Sequence, residues 1–202
     1  MTYRNGLILL LGDGAAFVAA LCTAAFLAHF ISESWLERDF FGLSGPDMAQ
    51  QVTLFVLLTA GGILFFAQKE HYHRRAPWWQ QVEHVIAFCC MALLIEGFVN
   101  YALKTPVTRL WVGLSWVLAV PFLLIFRRAV REALAGTGHW EIPTILVGGC
   151  ENAIETLYAL KSETFLAYKT LYAVLPDANE KAIAEFKNIH PGIEIKSALG
   201  AT

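Results

Sequence analysis

Apolar residues come in four long runs, parted by short polar segments. The runs cover residues 7–31, 52–67, 85–103 and 110–126. A bilayer core takes roughly 20 mostly apolar residues as helix, because lipid leaves no backbone group unpaired. Each run therefore predicts a membrane-spanning helix. The second and fourth fall a little short, so interfacial flanks such as Gln50, Gln51 and Gln68, or local thinning, would complete them. The first run follows Arg4 and is rich in small residues, as secretory leaders are. It exceeds their apolar core of about 7–15 residues, and further spans follow, so a retained helix is predicted. Pro121 lacks a backbone donor and predicts a kink in the fourth span.

After Glu141 the texture changes and charges become denser. Ile145, Leu146 and Val147 read as a buried strand ending at Gly148 and Gly149. Residues 152–161 have helical spacing, with Ala153, Ile154, Leu157 and Leu160 on one face. Residues 170–175 read as a second strand. Asp177, as N-cap, and Glu180 precede an amphipathic helix carrying Ala182, Ile183, Phe186 and Ile189. Ile193, Glu194 and Ile195 begin a third strand. The order βαβαβ opens a doubly wound parallel sheet. The expected fold is membrane α, with four transmembrane helices followed by a partial α/β, Rossmann-like cytoplasmic domain. The expected divisions are 1–130, a connector at 131–142, and 143–202. So small a sheet covers its faces poorly. The expectation is the N-terminal part of a longer protein, or a short chain whose sheet a partner completes.

Composition sharpens this picture. Of 202 residues, 56% are apolar and 16% charged, against about 25% charged in soluble domains. Mean hydropathy is +0.51. Disordered, fibrous and ordinary soluble classes are excluded. A net charge of −2 leaves no basic footprint, so no nucleic-acid partner is expected. Basic residues set orientation. Arg4, Lys69, Arg74, Arg75, Arg127, Arg128 and Arg131 fall on one side of the spans. Arg38, Lys104 and Arg109 fall on the other, with Glu33, Glu37, Asp39 and Asp47. The richer side should be cytoplasmic, with both termini. Of the four cysteines, Cys22, Cys89 and Cys90 lie in spans and Cys150 on the cytoplasmic side. No spacing suggests a metal site, and no disulfide is expected.

Three groups of residues invite a chemical reading. Gly148, Gly149 and Asn152 stand where a dinucleotide fold brings a pyrophosphate to a helix N-terminus. Cys150 occupies the place of the glycine that clears room for phosphate. A tight turn accounts for the same residues, as capping does for Asp177. Arg74, Arg75, Trp78 and Trp79, with His71 and His73, make a basic aromatic loop suited to lipid phosphate. Topology and interfacial anchoring explain it equally. Asp13, Glu96 and Asn100 are polar positions inside spans. They read as a site for a lipid-phosphate counter-ion or proton relay, or as hydrogen bonds between helices.

The loop His71 to Trp79, Arg127 to Leu134 after the fourth span, and Gly138, Trp140 and Pro143 before a Gly-ended strand resemble one family. Their order is similar to that in the N-terminal half of the bacterial polyprenyl-phosphate hexose-1-phosphate transferases. The resemblance implies the membrane-anchoring and regulatory part of an enzyme that starts exopolysaccharide or O-antigen synthesis. Such an enzyme moves hexose-1-phosphate from a UDP-sugar to undecaprenyl phosphate in the bacterial inner membrane. The family's chemistry needs an adjacent Asp-Glu pair, which this sequence lacks. No catalytic residue is therefore assigned. Mg²⁺ is implied only for the family's catalytic domain, and this chain is expected to hold no cofactor. A homodimer or a separately encoded catalytic subunit is the implied partner. Two other classes remain open: the N-terminal part of a membrane-bound nucleotide-sugar dehydratase, and a non-catalytic scaffold or sensor for glycan assembly.

Overall fold

A computed structural model describes residues 3–35, 45–104, 109–137, 140–148, 150–162, 168–175, 180–189 and 192–196. The chain divides into two compact units, Met1–Ala133 and Leu134–Thr202.

The first unit is built on four long helices, α1 (Tyr3–Trp35), α2 (Gly45–Gln68), α3 (Trp78–Ala102) and α4 (Arg109–Gly136). All four are long and apolar enough to cross a membrane. Their burial pattern suits lipid. Leu11, Phe26, Leu57, Leu64, Leu94, Phe98 and Ile125 are exposed, whereas Asp13, Gln51, Gln81, Glu96 and Arg127 are buried. On α1 the inward face carries Ala16, Ala20, Ala24 and Ala28, all fully buried. Small residues four apart bring a neighbouring backbone close. Phe17, Phe55, Phe88 and Trp116, one from each helix, form an aromatic layer. Phe17 lies edge-on to the other three at 6.1–6.4 Å between ring centroids.

The flanks complete the two short apolar runs: α2 has 24 residues and includes Gln50, Gln51 and Gln68, and α4 has 28. One expectation needs correction. Arg127, Arg128 and Arg131, expected beyond the fourth span, lie on α4 itself. The helix continues because residues 127–135 are mostly strong helix formers. Arg127 and Arg131 turn inward onto buried polar partners, while Arg128 pairs with Glu132 at 2.8 Å on the outside. Helix α4 also continues through Pro121.

The second unit is β1 (Ile142–Val147), α5 (Cys150–Ser162), β2 (Tyr168–Val174), α6 (Glu180–Ile189) and β3 (Glu194–Lys196). The strands are parallel in the order β1-β2-β3. Leu171 has no partner at the Thr144/Ile145 step, where the register shifts. Beyond that bulge Leu146 pairs with Ala173, and Ala173 with Ile195. These residues meet Ala153, Leu157 and Phe186 in a single core. The alternate positions Ile145 and Val147 are exposed, as strand periodicity requires when one face is packed. The three strands and two helices fall near the predicted positions, and β1 and β2 begin earlier than expected. Gly138, Gly149, Asp177 and Asp39 lie outside the described residues.

Candidate functional site

The polar centre of the first unit is built around Asp13. An aspartate two turns into an apolar helix is costly unless paired. Here α4 supplies the pair. Arg127 donates from Nε to Asp13 Oδ1 at 2.8 Å and from Nη2 to Oδ2 at 2.7 Å. Only 3% of Arg127 and 0% of Asp13 is exposed, so this two-pronged bond is shielded from water. Tyr72, in the α2–α3 loop, donates its hydroxyl to Asp13 Oδ2 at 2.7 Å. Burial, then the Asp13 charge, holds the Tyr72 phenol well above its ordinary range. It therefore stays a donor.

His71 extends the network. Arg127 has no acceptor, so its Nη1, 2.9 Å away, must donate to His71 Nδ1. The His71 proton then sits on Nε2 and is donated to His84 Nδ1 at 2.8 Å. The chain of donors runs one way, from Arg127 through His71 to His84. Burial, then the Arg127 charge, pushes the His71 imidazole down to about 3, so it is neutral at physiological pH. Phe66 closes the site, with the Arg127 guanidinium 4.4 Å from its ring centroid. One turn on, Arg131 bonds Gln81, which donates to the Ala76 carbonyl at 2.6 Å.

The loop approaches α1 through backbone as well. A Cβ at Gly6 would lie 2.4 Å from the Tyr72 carbonyl oxygen. Only glycine allows this approach. The loop is thus tied to α1, α3 and α4.

A second network lies beyond the aromatic layer along α2 and α3. Asn100 donates to Gln51 at 3.2 Å, Gln51 donates to Glu96, and Trp116 donates to the other Glu96 oxygen at 2.5 Å. The structure therefore brings Glu96 and Asn100 together through Gln51 and places Asp13 in a different network.

The basic loop divides. His71 and Tyr72 face inward, while His73 is exposed. Arg74 is exposed and pairs with Glu70 at 2.8 Å. Arg75 and Trp78 are half-buried, and Trp79 is 77% exposed. In the second unit, Gly148 donates its N–H to the Val174 carbonyl at 3.2 Å, which ties the residue after β1 to β2. Asn152 is exposed on α5.

From sequence, Tyr72, His84 and Trp116 were not singled out, Arg127 was read as a topological charge and Gln51 as a flank of the second span. A signal existed for Arg127. In an up-and-down bundle, the start of α1 and the end of α4 share one end, so Asp13 and Arg127 fall at similar depth at 1.5 Å per residue. Tyr72 and His84 carried no comparable mark.

The fold and these networks define a multi-span membrane protein with a small α/β unit. The chain is 24% identical over 147 residues to the UDP-galactose-lipid carrier transferase of Erwinia amylovora, covering 72% of this chain and 31% of that protein. It is 25% identical over 136 residues to the undecaprenyl-phosphate galactose phosphotransferase of Salmonella typhimurium, covering 65% and 28%. An uncharacterized sugar transferase of Haemophilus influenzae is 22% identical over 110 residues. The chain resembles these sugar transferases and spans less than a third of their length. No family model matches it.

Proposed function

We propose that this chain is the membrane-anchoring and regulatory part of a sugar-1-phosphate transferase system acting on undecaprenyl phosphate. The supporting observation is the match, over 65–72% of the chain, to a UDP-galactose-lipid carrier transferase and an undecaprenyl-phosphate galactose phosphotransferase. In this reading hexose-1-phosphate passes from a UDP-sugar to the lipid phosphate, and UMP leaves. The catalytic unit and its Mg²⁺ lie outside these 202 residues, and the partner is a second copy of the chain or a separately encoded catalytic subunit. The chain sits in the bacterial inner membrane with both termini in the cytoplasm.

The tethered α2–α3 loop has a role here. Arg74 and Trp79, exposed beside a buried anchor, present charge and an indole at the cytoplasmic interface. With Arg75 and Trp78, they form a docking edge for the lipid phosphate. The parallel order β1-β2-β3 supports reading the second unit as the opening half of a Rossmann-like sheet. Gly148, Gly149 and Asn152 would be its phosphate-facing turn.

The test is capture of the tagged full chain from cross-linked native membranes. The captured complex should release UMP from a UDP-sugar in the presence of undecaprenyl phosphate, and the chain purified alone should not. A captured complex without this activity, or activity in the chain alone, contradicts the proposal.

A further inference from the structure

The end of the bundle away from His71 holds an open groove of about 670 Å³ between α3 and α4. That volume lies within the roughly 300–1,000 Å³ typical of ligand sites. Leu93, Gly97 and Lys104 line it along one face of α3 and the turn that follows. Arg109, Val112 and Gly113 line it from α4. Glycine inside a helix is destabilising relative to alanine, and in membrane bundles it normally serves close helix contact. These two glycines do not. A Cβ on Gly97 or Gly113 would meet nothing within 4 Å. The space beside them is open and its walls are largely apolar.

One end of the groove is cationic. Lys104 and Arg109 are both exposed, and neither forms an ion pair among the described residues. No carboxylate lines the groove among the described residues. Lys104 takes φ 52°, the left-handed region where a side-chain-bearing residue is strained. Lysine stands there instead of glycine, and it lines the same groove as Arg109. On the adjoining face of α3, Leu94 and Phe98 are exposed, so the groove opens toward lipid.

We propose that this groove binds an anionic glycerophospholipid. Its phosphate sits between Lys104 and Arg109, and an acyl chain lies against Gly97 and Gly113. Two cations with no ion pair among the described residues complement one phosphate, and the glycine-lined channel complements an unbranched chain. The site is separate from the α2–α3 loop and does not depend on the transferase reading.

The experiment equilibrates the purified full chain with vesicles of equimolar phosphatidylglycerol and phosphatidylcholine, then measures retained lipid by mass spectrometry. The native chain should retain phosphatidylglycerol preferentially. The double variant Lys104→Gln/Arg109→Gln should retain about tenfold less. Gly97→Leu, which fills the channel and keeps both cations, should show a similar loss. If Gly97→Leu does not fold, the double variant decides, because both its residues are exposed. Equal retention of the two lipids by the native chain, or undiminished retention by the double variant, overturns the proposal. So does displacement of phosphatidylglycerol by undecaprenyl phosphate added in equal amount.

Discussion

At the scale of single residues, the buried Asp13–Arg127 pair sets the chemistry of the first unit. Removing one partner leaves the other charge buried, which costs about 3–5 kcal/mol where it has been measured in protein interiors. We expect Asp13→Ala and Arg127→Ala each to lower thermal stability in detergent by that order. The double variant should cost clearly less than their sum, because neither charge is then left alone. Additive losses would show that the two groups do not interact. The exposed pair Lys169–Glu141, at 2.7 Å, should matter little by comparison. His71 adds a pH dependence. Its folded value, pushed down to about 3, lies below that of an unfolded imidazole, near 6.5. The unfolded state then binds more protons over that interval. Stability should be intact above about pH 6.5 and fall progressively as pH drops toward 3. His71→Gln keeps an acceptor for Arg127 and should flatten that slope. An unchanged slope in melting temperature between pH 7.5 and 4.5 would rule out His71 as its source.

At the scale of elements, the α2–α3 loop is placed by α1. Glycine to alanine inside a helix usually stabilises by about 1 kcal/mol. Gly14 and Gly61 have open space at the Cβ position, so alanine there should follow the rule. At Gly6 the sign should reverse, because the Tyr72 carbonyl lies 2.4 Å from the new atom. Melting curves of the three variants check this. A stabilised Gly6→Ala would mean that the loop does not rest on α1. The helices and strands themselves were legible in sequence, because apolar runs and strand alternation are local patterns. Helix ends were less so. Hydrophobicity stops α4 at residue 126, yet the helix runs ten residues further to Gly136. Residues 127–135 are mostly strong helix formers, and Arg127 and Arg131 pair across the bundle, which the apolar run does not record. For the same reason Asp13 stood out in sequence and its partners did not. The division of the loop into inward His71 and Tyr72 and outward Arg74 and Trp79 likewise depends on contacts with distant helices.

At the scale of the whole molecule, two units carry different duties. The membrane unit holds two separated polar networks with an aromatic layer between them, and the second unit holds a one-sided parallel sheet. Within the proposed system, the first unit fixes the interfacial loop and the second offers a surface for further α/β structure. Arg74→Gln with Trp79→Ala alters only exposed groups. That variant should keep its melting temperature and lower lipid-linked sugar formation several-fold in membranes. Unchanged product would remove the loop from lipid docking. The function is tested most directly by label transfer in native membranes. Membranes from cells lacking this chain, and from the same cells with it restored, are given UDP-sugar carrying a labelled sugar. Incorporation into the polyprenyl-phosphate lipid fraction should fall strongly without the chain and return with it. Equal incorporation in both membranes would contradict a role in sugar-phosphate transfer.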